Sequence, residues 1–208
     1  MPRPRTVTLA IAAMLAFLPL RASSAAGQAG EVLAESGQCF VETGGQRAAL
    51  KLGDPVRVGD SIEVPEGARL KLRMSDGSVI SAASGSKLTI SSYEVDSAAQ
   101  RRDAKLALAS GLLRAVVSSV SQTSHFEVDT ATGVAAVRST DWFIEAFAKA
   151  TQVGVLSGVV SLSSIGSTRA EDVPARWGAR VEAGLAPVPP RVWTQAEFES
   201  VIGRTDVK

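Results

Sequence analysis

Over most of residues 50–162 the apolar side chains recur at every second position, in short runs broken by Gly-Asp, Asp-Gly and Ser-Gly turns. A period of two sends alternate residues to opposite faces of an extended strand, whereas an amphipathic helix needs a period near 3.6. This stretch is therefore a succession of strands. Leu70-Lys71-Leu72-Arg73-Met74 alternates strictly, Ser75-Asp76-Gly77-Ser78 supplies a hairpin turn, and Val79-Ile80 starts the return. Lys87-Leu88-Thr89-Ile90-Ser91 repeats the pattern, Lys105-Leu106-Ala107-Leu108 runs through Ser110-Gly111 into residues 112–117, and His125-Phe126-Glu127-Val128-Asp129 alternates again. Further strands are predicted over 134–137, 141–147, 151–156 and 159–162.

Strands this short and this regularly turned predict an all-β fold, a sandwich, barrel or coiled sheet, with a short C-terminal helix. The chain has no asparagine, so its positive-φ turn positions fall to Gly, Asp and Ser. On the apolar side of the alternating runs lie Leu70, Leu72, Ile90, Leu108, Phe126, Val128, Trp142 and Val155, the predicted core. Polar residues 92–102, which include Arg101 and Arg102, read as a long exposed connection with a solvated basic tip, and 118–124 as a polar linker. Beyond Leu162, residues 181–185 read as a last strand and 187–191 as an extended proline-rich spacer. Thr194 followed by Glu197 gives a capping box for a helix through about Ile202. This tail is too short to bury a core of its own.

The start of the chain is not part of that pattern. Arg3 and Arg5 precede an uncharged run of 15 residues from Thr6 to Leu20, Arg21 ends it, and the small residues 22–26 follow. The run is shorter than the roughly 20 residues of a membrane-spanning helix. It reads as a cleavable leader, residues 1–26, with residues 27–165 forming the β domain and 166–208 a C-terminal appendage. Arg3, Arg5 and Arg21 leave with the leader, so the 22 basic and 21 acidic residues become 19 and 21. A near-neutral chain without a basic stripe is not a nucleic-acid binder. Export predicts a periplasmic or secreted location and a protein that is not integral to the membrane after cleavage. One cysteine excludes an internal disulfide framework, and Cys39, in the strand-like run Gln38-Cys39-Phe40-Val41, reads as a small core residue.

The chemistry-bearing residues are few. His125 opens a strand with no nucleophile elbow near it, so no catalytic residue is assigned and the chain reads as a non-enzyme. Cys39 and His125 lack the paired spacing of a metal site. Asp54 and Asp60, each beside a glycine, read as turn residues rather than calcium ligands. No cofactor is implied. Aromatics outside the alternating core are the candidates for partner binding: Phe143 and Phe147, on the face of 141–147 opposite Trp142, Ile144 and Ala146, with Trp177 and Trp193 in the tail. The alternative for each is packing under a loop or under the tail.

Several spaced segments also resemble one family. Leu52-Gly53-Asp54-Pro55-Val56-Arg57-Val58-Gly59-Asp60-Ser61-Ile62, then Ala68-Arg69-Leu70-Lys71-Leu72 and Asp76-Gly77-Ser78, resemble the opening of the FecR domain. This is the periplasmic β domain of iron-citrate type signalling regulators and of many exported bacterial proteins. Residues 106–113, Phe126-Glu127-Val128-Asp129-Thr130, Val137-Arg138-Ser139-Thr140-Asp141-Trp142 and 153–162 continue the likeness. Two departures are local: Ser139 stands where the family often has Gly, and Val64-Pro65 where it often has Thr. The resemblance implies an all-β fold with its strands coiled into a solenoid-like or rolled sheet. Only about five residues precede the apolar run, which disfavours a transmembrane regulator with a cytoplasmic segment. The expectation is a free-standing exported domain that acts by non-catalytic binding to an envelope protein or polysaccharide. Its alternatives are a scaffold of an envelope complex that works by edge-strand pairing, and a carbohydrate or peptidoglycan binder.

Overall fold

The computed structural model describes residues 27–96, 98, 101–118 and 124–207. The predicted leader lies outside the described residues. In chain order the strands are β1 (Gln28–Ser36), β2 (Phe40–Thr43), β3 (Gln46–Ala49), β4 (Pro55–Arg57), β5 (Ser61–Val64), β6 (Arg69–Met74), β7 (Val79–Ala82) and β8 (Ser86–Asp96). Then come β9 (Arg101–Val116), β10 (His125–Asp129), β11 (Gly133–Val137), β12 (Asp141–Phe147), β13 (Ala150–Ser157), β14 (Val159–Ser164), β15 (Ala170–Pro174), β16 (Trp177–Glu182), β17 (Arg191–Val192) and the helix α1 (Gln195–Thr205).

The ladders assort into two layers that share β9. The upper layer runs β4-β1-β6-β7-β9-β12-β13-β16-β17 and the lower layer β3-β2-β5-β8-β9-β10-β11-β14-β15. Every ladder is antiparallel apart from β9 with β10. The layers pack face to face, and all eight predicted core residues are buried between them. Each inward residue alternates with an outward one, as a half-buried strand requires.

The passage of β9 between layers decides the architecture. Up to Ser110 the strand pairs with β8, and from Gly111 to Val116 with β12. At the crossing Gly111 has φ +90, and a Cβ there would come within 2.5 Å of the Cα of Ser86. Only glycine fits such a corner. Ser86 then seals it: its Oγ accepts from the Leu112 N–H at 3.0 Å and donates to the Leu112 carbonyl at 3.2 Å. The Ser110-Gly111 break is thus a change of layer inside one strand and not a hairpin.

Two further expectations change. Residues 92–96 and 101–102 are ladder and not a long exposed connection, with β8 and β9 paired out to Asp96 and Arg101, and residues 97, 99 and 100 lie outside the described residues. Residues 166–208 are not an appendage: β15 extends the lower layer, β16 extends the upper one, and the predicted strand over 181–185 is the end of β16. The helix begins as predicted. Thr194 Oγ1 accepts from the Glu197 N–H at 3.3 Å, Glu197 Oε2 accepts from the Thr194 N–H at 2.8 Å, and α1 runs on to Thr205.

Candidate functional site

Three places hold the polar and aromatic side chains that could do work: a buried ion pair at one end of the sandwich, the outer face of the upper layer, and the outer face of the lower layer.

The buried pair is Arg102 with Asp76, both side chains having no solvent exposure. Arg102 donates to Asp76 Oδ2 at 2.7 Å, to the carbonyls of Ser118 at 3.1 Å and Arg138 at 2.9 Å, and stands over the Phe126 ring at 5.4 Å. Tyr93 and Ser78 donate to the same carboxylate at 2.7 Å each. Burial alone would raise the Asp76 pKa, but the bonds from Arg102, Tyr93 and Ser78 outweigh it and hold the carboxyl below its usual range. Burial beside Asp76 pushes the Tyr93 phenol far above its usual value. Arg102 therefore corrects the expectation of a solvated basic tip. The pair fastens the β6–β7 turn, the end of β9 and the β11–β12 turn together, and reads as architecture, since it has no access to solvent.

The outer face of the upper layer is covered in large part by the chain itself. Phe198 and Val201 of α1 pack with Leu112, Phe143 and Ala83 in a second, smaller core that includes Trp193. Arg204 pairs with Glu145, Lys71 donates to the Val207 carbonyl at 2.9 Å, and Arg191 clamps Glu197, whose carboxyl is lowered to about 2 chiefly by that guanidinium. Arg114 is held against Asp141 by two bonds of 2.9 and 2.8 Å. Phe143 and Trp193 are buried here and present no surface to a partner, because the tail has taken that face. Phe147 and Trp177 stay 41% and 37% exposed, with the Arg180 guanidinium 5.4 Å from the Phe147 ring. The structure does not bring the four aromatics into one exposed group.

Among the described residues the outer face of the lower layer has no such cover. In register across it lie Lys105, Glu127, Ala136, Ser161 and Asp172, on β9, β10, β11, β14 and β15. The short side chains of Ala136 and Ser161 leave a trough of about 650 Å³, walled by His125 on one side and Asp172 on the other, with Arg138, Ser139 and Thr140 at one end. Lys105 bridges Glu127 at 2.7 Å and Asp129 at 2.9 Å, and those bonds raise its pKa. Arg138, His125 and Asp172 make no side-chain ion pair or hydrogen bond with another described residue. Nothing in the strand pattern distinguished Arg138 and Asp172 from ordinary outward charges. Their significance comes from the short residues between them.

The remaining candidates fall into place simply. Cys39 is buried, its Sγ donating to the Arg69 carbonyl at 3.7 Å, and burial lifts its pKa to about 11. Asp54 accepts from the Lys51 N–H at 2.8 Å and Asp60 from the Arg57 N–H at 2.7 Å, the turn roles assigned to them. Among the described residues no three His, Cys, Asp or Glu side chains are grouped to hold a metal ion, and no helix is long and apolar enough to cross a membrane.

Comparison with known proteins agrees with this architecture. The family model described as FecR protein matches residues 60–161. Two crystal structures of proposed anti-sigma factors from Parabacteroides distasonis superpose with TM-scores of 0.53 and 0.54 at 15% identity. Each match covers 67% of this chain and 63% or 62% of the other, so the chain spans less than two thirds of their length. At that identity the likeness establishes a shared fold. A search of curated proteins found no match.

Proposed function

Because residues 60–161 make this chain a FecR-domain protein, we propose that it is a non-catalytic binding protein of the cell envelope, exported behind residues 1–26 and working through the outer face of its lower layer. One observation carries the proposal. The sandwich has two broad outer faces; the chain's own helix and Trp193 cover much of one, where a hollow of about 340 Å³ remains beside Val116, and the other keeps a larger open trough with charges unpaired among the described residues. Uncompensated charge facing a concavity costs solvation when it is buried, so it suits a partner that brings the opposite charges.

Edge-strand scaffolding has less support. The outer strands are short, β17 spans two residues and β4 three, and β15 ends in Pro174 with its Glu171 paired to Arg169 just before the strand, devices that discourage pairing with another chain. Carbohydrate binding would favour an aromatic platform, and the trough lining carries none. A regulatory role for the same surface is the second reading, favoured by structural neighbours that are themselves proposed anti-sigma factors.

The test is photo-cross-linking in cells, with benzoylphenylalanine in place of Ala136 on the trough floor or of Val116 on the opposite face. The proposal expects a discrete adduct from position 136 and none of the same mass from position 116. Adducts from position 116 alone would reject it.

A further inference from the structure

The trough also has a charge pattern that selects a class of ligand, and this step rests on the reading of the lower face just given. Lys105 bridges Glu127 and Asp129, and none of the three lines the trough. The charges that line the trough are Arg138, beside His125, at one end and Asp172 on the far wall. Asp172 stands on β15, two strands from Arg138 on β11, and the register of Ala136 with Ser161 and of Ser161 with Asp172 displaces it by two residues along the ladder. Strand geometry then separates the Cα atoms of the two residues by roughly 12 Å. An extended peptide rises about 3.3 Å per residue and shows every second side chain to the same side, so residues four apart present their groups about 13 Å apart on one face.

We propose that the trough binds an extended peptide bearing one carboxylate and one ammonium group four residues apart, the carboxylate at Arg138 and His125 and the ammonium at Asp172. The floor suits a backbone. Ala136 and Ser161 give it room, and the hydroxyls of Ser139 and Ser161, which bond to no other described residue, are free to meet its amide groups. Thr140 is already engaged, its Oγ1 donating to the Val159 carbonyl at 3.3 Å. An acidic glycan fits less well, because Asp172 would repel it.

The test titrates the purified protein with three pentapeptides: acetyl-Lys-Ala-Ala-Ala-Glu amide, its reverse acetyl-Glu-Ala-Ala-Ala-Lys amide, and the uncharged acetyl-Gln-Ala-Ala-Ala-Gln amide. The readout is the set of amide chemical shifts. One charged peptide should move resonances of β10, β11, β14 and β15, and the uncharged one should not. Arg138→Ala and Asp172→Ala should each weaken binding by up to about fivefold, the range for an exposed ion pair, and leave the melting temperature unchanged because both side chains are exposed. An equal response to the uncharged peptide, or shifts on the upper layer, would overturn the peptide assignment. Failure of all three peptides while position 136 still yields its adduct would reject the peptide class and keep the surface. Failure of both would reject the two together.

Discussion

The indole of Trp193 occupies the space that a side chain at Gly178 would need. A Cβ built on Gly178 would overlap the indole Nε1, and one on Gly154, its partner in the β13–β16 ladder, would come 2.5 Å from the six-membered ring. Two glycines opposite each other on adjacent strands thus form a seat, and the residue that enters it starts the segment leading into α1. The tail covers the upper layer because the layer is bare of side chains where the tail lands.

That relationship predicts the behaviour of two variants. Trp193→Ala should cost about 3–5 kcal/mol, as for other buried aromatics cut to Ala. Gly178→Val should free α1 without touching the main core, visible as fast amide exchange confined to α1 while the strands stay protected. Slow exchange in α1 of Gly178→Val would show that the helix is held by Phe198 and Val201 alone.

The buried Arg102–Asp76 pair makes a prediction about acid. Removing either partner strands a buried charge, so Arg102→Met and Asp76→Asn should each lose about 3–5 kcal/mol, and the double variant should lose less than the sum. Asp76 is depressed in the folded protein, so its contribution is complete above the unfolded carboxylate pKa of about 3.9 and disappears as the pH falls through the lower folded value. Urea midpoints of the wild type should fall below about pH 4 more steeply than those of Asp76→Asn. Parallel slopes would mean that the pair is not what acid breaks.

Cys39 predicts silence toward thiol reagents. With its pKa lifted to about 11 and its Sγ buried, it should not react with a disulfide reagent at pH 8 in the folded state, and should react in full once urea unfolds the chain. Rapid labelling of the native protein would place β2 and its neighbours differently.

How much of this was legible from the residues depends on the distance over which each feature is encoded. The core list and the two faces of β12 follow from period two alone, and the cap at Thr194 follows from Glu197 three residues on, because neighbours in sequence settle them. Arg102 was misread because a charge in a polar run looks solvated, and the carboxylate that draws it inside comes from a turn 26 positions earlier. β15 is not legible for a related reason: residues 170–174 alternate weakly, and they become a strand by pairing with β14, whereas the end of β16 is predicted. Phe143 was visible as an outward aromatic. That its cover would be the chain's own helix required knowing that Gly154 and Gly178 lie side by side.

The leader carries a prediction of its own. Mass spectrometry of the protein recovered from cells should find a mature N-terminus at or near Gly27; recovery of intact Met1 from the membrane fraction would contradict export by cleavage.

The account stands most directly on one comparison: the yield of the cross-linked adduct from position 136 in the otherwise native chain and in the Arg138→Ala, Asp172→Ala double variant, with melting temperatures measured on both. The prediction is an adduct that largely disappears at an unchanged melting temperature. An undiminished adduct in the double variant would contradict the claim that the open lower face, through those two charges, is where this FecR-domain protein meets its partner.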